Sequence, residues 1–470
     1  MVTIMNDRTF QKALYNFVAS AILTGIASWI FFEVWSDFAI VHNQTGHLMG
    51  LGNLLMALFI YIGLFVIIGR GLHAFKIGVE RKANLLASAV LTALTVGFLE
   101  IFVSMAITGQ FRFFWLFFRL YLLMWLGQSL ILCILVIPLV NLYRKIFPPL
   151  EVIEIYSGEE GNLYQKINEV PYKYHVADFI TCNIPEKEIR DAIRQYDAVL
   201  IGNNVSSNEK DRVLKICFKE NKRVYFVPRI SDILIRSSDN VNLWDTPVFL
   251  NKNAGISPIS AAVKRFFDIV LSALALVILS PIMVGVAIAI KVEDGGPVFY
   301  KQERVTKNGK HFMILKFRSM IVDAEKDGRP HPAGEKDDRI TKVGHFIRAC
   351  RFDELPQLIN IIKGDMSIVG PRPERYEQVE EYTKEHPEFA LREKVKGGLT
   401  GYAQVYGKYN TTSLDKVKLD LIYITNYSLL LDLQIIFETV KILFRKESTQ
   451  GFSEEQAKNI HDKADTDEKK

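Results

Sequence analysis

Residues 345–374 read HFIRACRFDELPQLINIIKGDMSIVGPRPE, and the organisation of the chain unfolds outward from this stretch. Adjacent carboxylates, Asp353 and Glu354, stand beside Pro356; an apolar run then ends at Gly364, and Gly370-Pro371-Arg372-Pro373 makes a rigid turn. Proline at a first helical position and glycine just past the last turn are helix punctuation. The acid pair is therefore expected near a helix N-terminus, where partial positive charge favours anions. Taken alone, such a pair says only that a helix starts there. With Arg348, Arg351 and Arg372 close by in sequence, it reads as a metal and phosphate site.

Upstream, in order, stand Lys264-Arg265 with Asp268, then Gly296-Pro297-Val298-Phe299-Tyr300, Gln302-Glu303-Arg304, Lys316-Phe317-Arg318-Ser319-Met320 and Asp338-Arg339-Ile340-Thr341. Together with the acid pair, these blocks resemble the signature of bacterial polyprenyl-phosphate sugar-phosphate transferases, the monotopic phosphoglycosyl transferases that initiate surface-glycan synthesis. The resemblance covers about residues 260–446.

Composition bounds the rest. In 470 residues, 49% are hydrophobic and 23% charged, so the apolar residues must be segregated. Four apolar segments near 11–32, 48–69, 84–108 and 113–143 are each long enough to cross a bilayer. Arg8 and Lys12 precede the first, Arg70, Lys76, Arg81 and Lys82 follow the second, and Arg144 and Lys145 follow the fourth. The positive-inside rule then puts the N-terminus and everything after residue 145 in the cytoplasm, although Arg112 and Arg119 fit this less well. The first segment lacks the small-residue site of a cleavable signal peptide. The four cysteines are scattered, which excludes a disulfide framework or zinc site and suits a reducing compartment. A net charge of +5 makes no case for nucleic acid; anionic lipid headgroups are the expected partner.

Residues 150–250 alternate strand-like and helix-like runs, the pattern of a small parallel α/β sheet. The turn Ser157-Gly158-Glu159-Glu160-Gly161 lacks the dinucleotide glycine pattern and carries two acids, which disfavours pyrophosphate. A degenerate nucleotide-binding-like, structural or regulatory domain is the expectation. Residues 251–263 read as a linker. Residues 266–290 are then apolar and interrupted by Ser280-Pro281, where the helix is expected to bend. A straight span would put the remaining chain outside the cell, so a re-entrant helix is expected, with an ordinary fifth span as the alternative. Asn308-Gly309 between 298–305 and 311–318 predicts a hairpin that brings Arg304 and the Lys316/Arg318 pair near one end of the catalytic domain. Residues 323–338 read as a mobile loop, 414–427 as an amphipathic segment, and the more strongly apolar 429–444 as a helix for the membrane surface or the core. The tail from 453 to 470 reads as disordered.

The fold class is thus a membrane α-helical bundle plus α/β. A four-helix transmembrane bundle (1–149) is followed by a Rossmann-like domain (150–250), a linker (251–263) and an α+β catalytic domain (264–452) with the re-entrant helix.

The resemblance implies the chemistry. Asp353 attacks the β-phosphate of a UDP-sugar, UMP leaves, and undecaprenyl phosphate takes the sugar phosphate from the enzyme. Glu354 holds Mg²⁺. Spacing alone would allow either carboxylate in either role. Arg348 steadies phosphate, and Arg372 holds a nucleotide phosphate or base. Lys316, Arg318 and Arg304 supply further positive charge. Lys264, Arg265 and Asp268, with Ser280 and Pro281, meet the polyprenyl phosphate at the membrane interface, Arg265 pairing with Asp268 one turn away. A second copy of the chain and downstream glycosyltransferases of the pathway complete the implied partners. Gly397-Gly398-Leu399-Thr400-Gly401 departs from the family's Pro-Gly-x-Thr-Gly, Thr306 stands where the family has glycine after Arg-Val, and Lys408 stands where arginine is frequent. No residue identifies the sugar. A non-catalytic scaffold would show a decayed acid pair, and a transporter would need more membrane charge than Glu100.

Overall fold

The computed structural model describes the chain except residues 1, 43–50, 110, 159–162, 253–254, 323, 325–336, 409–410 and 444–470. The tail expected over 453–470, most of the loop expected over 323–338, and Glu159, Glu160 and Gly161 lie outside the described residues. The chain divides into two compact units, Met1–Val227 and Pro228–Lys470.

In the first unit, α1 (Val2–His42), α2 (Leu51–Gly71), α3 (Lys82–Thr108) and α4 (Phe114–Ile146) pack around a shared core containing Phe31, Trp35, Tyr61, Phe117 and Leu132. All four are long and apolar enough to cross a membrane. Phe31 stacks on Tyr61 at 4.3 Å between centroids. Hydrogen bonds across helices add registration: Gln128 Nε2 donates to the Ala27 carbonyl at 2.8 Å and to the Tyr61 hydroxyl at 2.9 Å.

The strands β1 (Leu150–Tyr156), β2 (Tyr174–Thr181), β3 (Ala198–Ile201) and β4 (Arg223–Phe226) form a parallel sheet in the order β2-β1-β3-β4. They are joined by α5 (Leu163–Asn168), α6 (Glu186–Arg194) and α7 (Ser207–Lys219). Ser206 and Glu209 cap α7 reciprocally. The sheet stops at Phe226. Residues 228–250, expected to complete this domain, belong to the second unit. There α8 (Ile230–Arg236) buries Ile233 beside Phe389 and Tyr423, and β5 (Asp239–Leu243) pairs antiparallel with β6 (Thr246–Leu250).

The helix α9 (Pro258–Asp294) begins inside the expected linker. Ser257 accepts from the Ser260 amide, and Pro258 sits at the first helical position, so residues that read as a linker form a cap. At about 1.5 Å per residue the helix is roughly 55 Å long, and it too is apolar enough to cross a membrane. It runs on through Pro281. Proline has no N–H for the carbonyl four residues back, that of Val277, and the Ser280 hydroxyl donates to this oxygen at 2.8 Å instead.

Beyond α9, β7 (Phe299–Val305) and β8 (His311–Phe317) form the expected antiparallel hairpin. Asn308 and Gly309 both have positive φ, 58° and 71°, as the tight turn requires. In its register Arg304 lies opposite Phe312 near the turn, and Lys316 lies opposite Tyr300 at the base. Then follow α10 (Lys342–Ala349), capped by Thr341, α11 (Gln357–Lys363) and β9 (Ser367–Val369). The chain continues through α12 (Tyr376–Glu385), β10 (Gly398–Thr400), parallel to β9, and α13 (Tyr402–Tyr406), α14 (Ser413–Thr425) and α15 (Leu429–Leu443). α15 buries Ile435 in the core and leaves Leu430 and Leu433 exposed.

Candidate active site

Three pieces of chain meet at one spot in the second unit. The first is the base of β8, which carries Lys316. The second is a single 3₁₀ turn, Phe352–Glu354, rather than the first turn of α11 itself. Arg351, at φ 58°, ends α10 and redirects the chain into this turn, a left-handed conformation unusual for a residue with a long side chain. The third is Gly370-Pro371-Arg372-Pro373, which follows β9 directly.

Asn360 fixes α11 to β8. Its Oδ1 accepts from the Leu315 amide at 2.9 Å, and its Nδ2 donates to the Met313 carbonyl at 2.8 Å. The amide thus acts as a short strand edge, and it sets Lys316 against the acid turn. Lys316 Nζ lies 3.2 Å from Glu354 Oε1, and Arg372 Nη2 reaches the same oxygen at 3.2 Å.

The two carboxylates are thereby made unequal. Burial would raise Glu354, but the charges of Lys316, Arg372 and Arg351 outweigh it and hold Glu354 far below the ordinary carboxylate range. Burial and the neighbouring Glu354 push Asp353 up, against the opposing charges of Lys316, Arg348 and Arg351. Asp353 Oδ1 is buried and has no hydrogen-bond partner among the described residues. One acid is clamped, and the other holds an oxygen ready for something else.

The arginine turn is braced from behind. The Gly370 amide donates to the Thr400 carbonyl, and the Gly398 amide to the Pro371 carbonyl, each at 2.8 Å. A Cβ on Gly398 would lie 2.1 Å from the Gly370 nitrogen, and one on Gly370 2.4 Å from the Lys396 oxygen, so both sites require glycine. On the other side, Arg392 and Arg304 donate to the carbonyls of Arg372 and Pro373, at 3.0 and 3.1 Å. Arg392 is in turn paired with buried Asp420 of α14 at 2.8 Å. Arg392 and Asp420 were missed in the sequence because they stand in no motif; their charge in otherwise amphipathic segments was the available signal.

The other expected site residues divide. Arg348, in the last turn of α10, adds its charge to Asp353. Arg304 supports the arginine turn and lies 3.7 Å from Glu374. Arg318 does not reach the acid pair: it forms an ion pair with Asp294 at the end of α9 and donates to the Pro297 carbonyl. The expected Arg265–Asp268 pair is absent, and both residues face the protein. Arg265 donates to the Ile361 and Ile362 carbonyls at 2.5 and 2.7 Å, capping the far end of α11. Asp268 accepts from the Ser367 hydroxyl and the Ile368 amide at 3.1 and 3.0 Å, and Lys264 pairs with Asp432 of α15 at 2.5 Å. The orphaned backbone donors and acceptors at these chain ends outcompeted the neighbour one turn away. Ser280 and Pro281 lie exposed in the middle of α9.

Among the described residues no three acids, histidines or cysteines gather as metal ligands. The donor set is the acid pair alone. That fits a cation such as magnesium, which accepts one or two carboxylates and completes its shell with substrate phosphates and water.

Residues 259–446 match the family model described as bacterial sugar transferase. The UDP-N-acetylgalactosamine-undecaprenyl-phosphate N-acetylgalactosaminephosphotransferase of Aeromonas hydrophila is 36% identical over 280 residues, which are 58% of this chain and 64% of that protein. The UDP-glucose:undecaprenyl-phosphate glucose-1-phosphate transferase of Escherichia coli is 42% identical over 205 residues, 43% of this chain and 42% of that protein. The chain therefore spans less than two thirds of either relative's length. Exopolysaccharide production protein ExoY of Sinorhizobium fredii is 39% identical over 210 residues, and these make up 92% of that relative but 42% of this chain. With nearly the whole of that shorter protein matched, and with the acid pair and its bracing turn inside the matched region, the chain belongs to the bacterial sugar transferase family.

Proposed function

We propose that this chain is a polyprenyl-phosphate hexose-1-phosphate transferase that moves a sugar phosphate from a UDP-sugar to undecaprenyl phosphate in the first membrane step of a surface glycan. The observation that carries this reading is the inequality of the acid pair: Glu354 clamped by Lys316 and Arg372, Asp353 Oδ1 buried without a partner. A carboxylate oxygen in that state suits nucleophilic attack on phosphorus.

Asp353 Oδ1 bonds to the β-phosphorus, the bond from that phosphorus to the bridging oxygen breaks, and UMP leaves with the bridging oxygen. An oxygen of undecaprenyl phosphate then bonds to the same phosphorus and expels the Asp353 carboxylate. The bond to the anomeric carbon stays intact throughout. Arg372 and Lys316 neutralise phosphate oxygens as charge moves between them, in a pocket dry enough to strengthen each contact. Glu354, with the substrate diphosphate, would hold magnesium, which supplies further charge neutralisation. The relatives' names differ in the sugar, glucose in one and N-acetylgalactosamine in another, so the donor stays open between these classes.

The same reading sets the topology. UDP-sugars are cytosolic, so the site faces the cytoplasm of the bacterial inner membrane, and α9 enters and leaves on that face. Its exposed Leu274, Val277 and Ile278 suit an acyl environment. Thiol labelling of a cysteine placed at Lys301 from the cytoplasmic side alone supports this path; labelling from outside rules it out.

The deciding experiment is UMP release by purified protein with undecaprenyl phosphate, magnesium and a panel including UDP-glucose and UDP-N-acetylgalactosamine. UMP formed with one donor and lost in Asp353→Asn is the expected result. Release of UDP would mean an ordinary glycosyl transfer and would overturn the mechanism.

A further inference from the structure

A second charged site lies in the first unit. A cavity of about 90 Å³ opens between the start of α1, the end of α4 and the leading edge of the parallel sheet. Arg8, Thr9, Gln11 and Lys12 line it from α1, Ile146 and Phe147 from α4 and its end, and Asp197 and Arg223 from the sheet. Three cations thus share one cavity with one carboxylate.

The polar partners are few. Arg223 Nη2 donates to Thr9 Oγ1 at 2.9 Å, and Lys12 Nζ stands 5.8 Å from the centre of the Phe147 ring. Asp197 Oδ2 accepts from the Glu151 amide. Among the described residues, no carboxylate lies within the 4.0 Å of an ion pair from Arg8, Lys12 or Arg223. Three cations facing the single carboxylate of Asp197 leave net positive charge in the cavity, and an anion relieves their mutual repulsion.

The surroundings specify which anion. Ile146, which lines the cavity, and Leu142, one turn before it on α4, are both exposed. Apolar helix surface runs up to the rim, and the cations stand at its end. A molecule with acyl chains along that surface would carry its headgroup to the cavity, at the depth where basic side chains meet lipid phosphates.

We infer that Arg8, Lys12 and Arg223 form a binding site for the phosphate of an anionic membrane lipid, which clamps the end of the helical bundle to the parallel sheet. The ligand chemistry is a phosphate anion, and the alternative source is a soluble phosphate.

The test uses the full chain in detergent, titrated with phosphatidylglycerol, phosphatidylcholine or inorganic phosphate, with bound lipid counted by native mass spectrometry and unfolding followed by temperature. Phosphatidylglycerol should bind and stabilise, while phosphatidylcholine and inorganic phosphate should not. Arg8→Gln and Lys12→Gln should each weaken phosphatidylglycerol by roughly fivefold. Lys76→Gln, a basic loop residue that does not line the cavity, should leave it unchanged. Arg223→Gln also loses the Thr9 contact, so Arg8→Gln is the decisive variant. Equal stabilisation by inorganic phosphate would overturn the lipid assignment, and unchanged lipid preference in Arg8→Gln and Lys12→Gln would overturn the site. UMP release is not the readout, so failure here and failure of the transferase reading are separate results.

Discussion

Arg392 grips Asp420 Oδ2 through both Nε and Nη2, at 3.0 and 2.8 Å, while Nη2 also donates to the main-chain carbonyl of Arg372 at 3.0 Å. A buried ion pair thus holds the backbone of the residue whose side chain clamps Glu354. Pairs of this kind contribute little net stability, because desolvation offsets their attraction, but they fix geometry.

Arg392→Lys should therefore harm turnover more than folding. Lysine keeps the charge but cannot reach two acceptors in the guanidinium plane. UMP release is expected to fall about 10- to 100-fold, the usual cost of a small displacement of a positioning group. Steady-state kinetics check it: the loss should sit in kcat, with the donor KM changing less. An unchanged kcat would mean that the turn holds itself.

Asp353→Asn and Glu354→Gln should separate stability from activity. Both abolish UMP release on the mechanism above. Glu354→Gln leaves Lys316 and Arg372 without their counter-charge and should destabilise by about 3 kcal/mol. Asp353→Asn removes a buried carboxylate that Glu354 repels, so its melting temperature should hold or rise. Thermal unfolding of the two variants side by side reads out the difference.

The pH response follows from the opposite displacement of the two acids. Asp353 lies above its ordinary 3.8, through burial and Glu354, so its nucleophilic form is lost as pH falls while still above the usual aspartate range. Glu354 is depressed below its ordinary 4.5 by Lys316, Arg372 and Arg351, which outweigh its burial; its stabilisation is present above the ordinary value and is lost only as pH falls well below it. Asp353 has the reverse effect on folding, costing stability as pH rises through its raised value. Mild acidification should therefore give an inactive but folded enzyme. Circular dichroism and UMP release across an acid titration, with recovery on return to neutral pH, check this window.

Much of the site was legible because its parts carry their own punctuation. Pro356 and Gly364 bracket α11, Asn308-Gly309 makes the hairpin, and the acid pair stands out against apolar neighbours. What escaped was set by tertiary context. Arg265 and Asp268 sit one helical turn apart and read as a pair, yet each finds backbone groups of another element. Arg318 alternates with Lys316 in sequence, yet a single step past the strand sends it to Asp294. The strand β2, with His175, Asp178 and no clean alternation, gave no signal before its partners were in place.

The glycines behind the arginine turn rank by what a methyl group would meet. Gly398→Ala and Gly370→Ala force Cβ atoms to 2.1 and 2.4 Å from backbone atoms that cannot yield, and each should cost about 3 kcal/mol. Gly397, where the family pattern has proline, would place its Cβ 3.0 Å from the Pro373 side chain, a far milder contact. Gly397→Ala is expected within about 1 kcal/mol of the parent. The departure from the pattern thus falls at the tolerant position, and urea unfolding of the three variants tests that order.

Asn360 offers the sharpest check on how fold becomes chemistry. It is 2% exposed and satisfies both the Leu315 amide and the Met313 carbonyl, the two backbone groups just ahead of Lys316. Asn360→Leu fits the volume but strands one donor and one acceptor, at about 1–3 kcal/mol each. Asn360→Asp keeps the acceptor for Leu315 and turns an anion toward the Met313 oxygen, so it should also destabilise while retaining half of the link. If this link sets the distance between Lys316 and Glu354, UMP release should fall in both variants beyond what the folded fraction explains, and more in Asn360→Leu. Full activity per folded molecule in Asn360→Leu would show instead that the Lys316–Glu354 contact aligns the strand and the acid turn unaided.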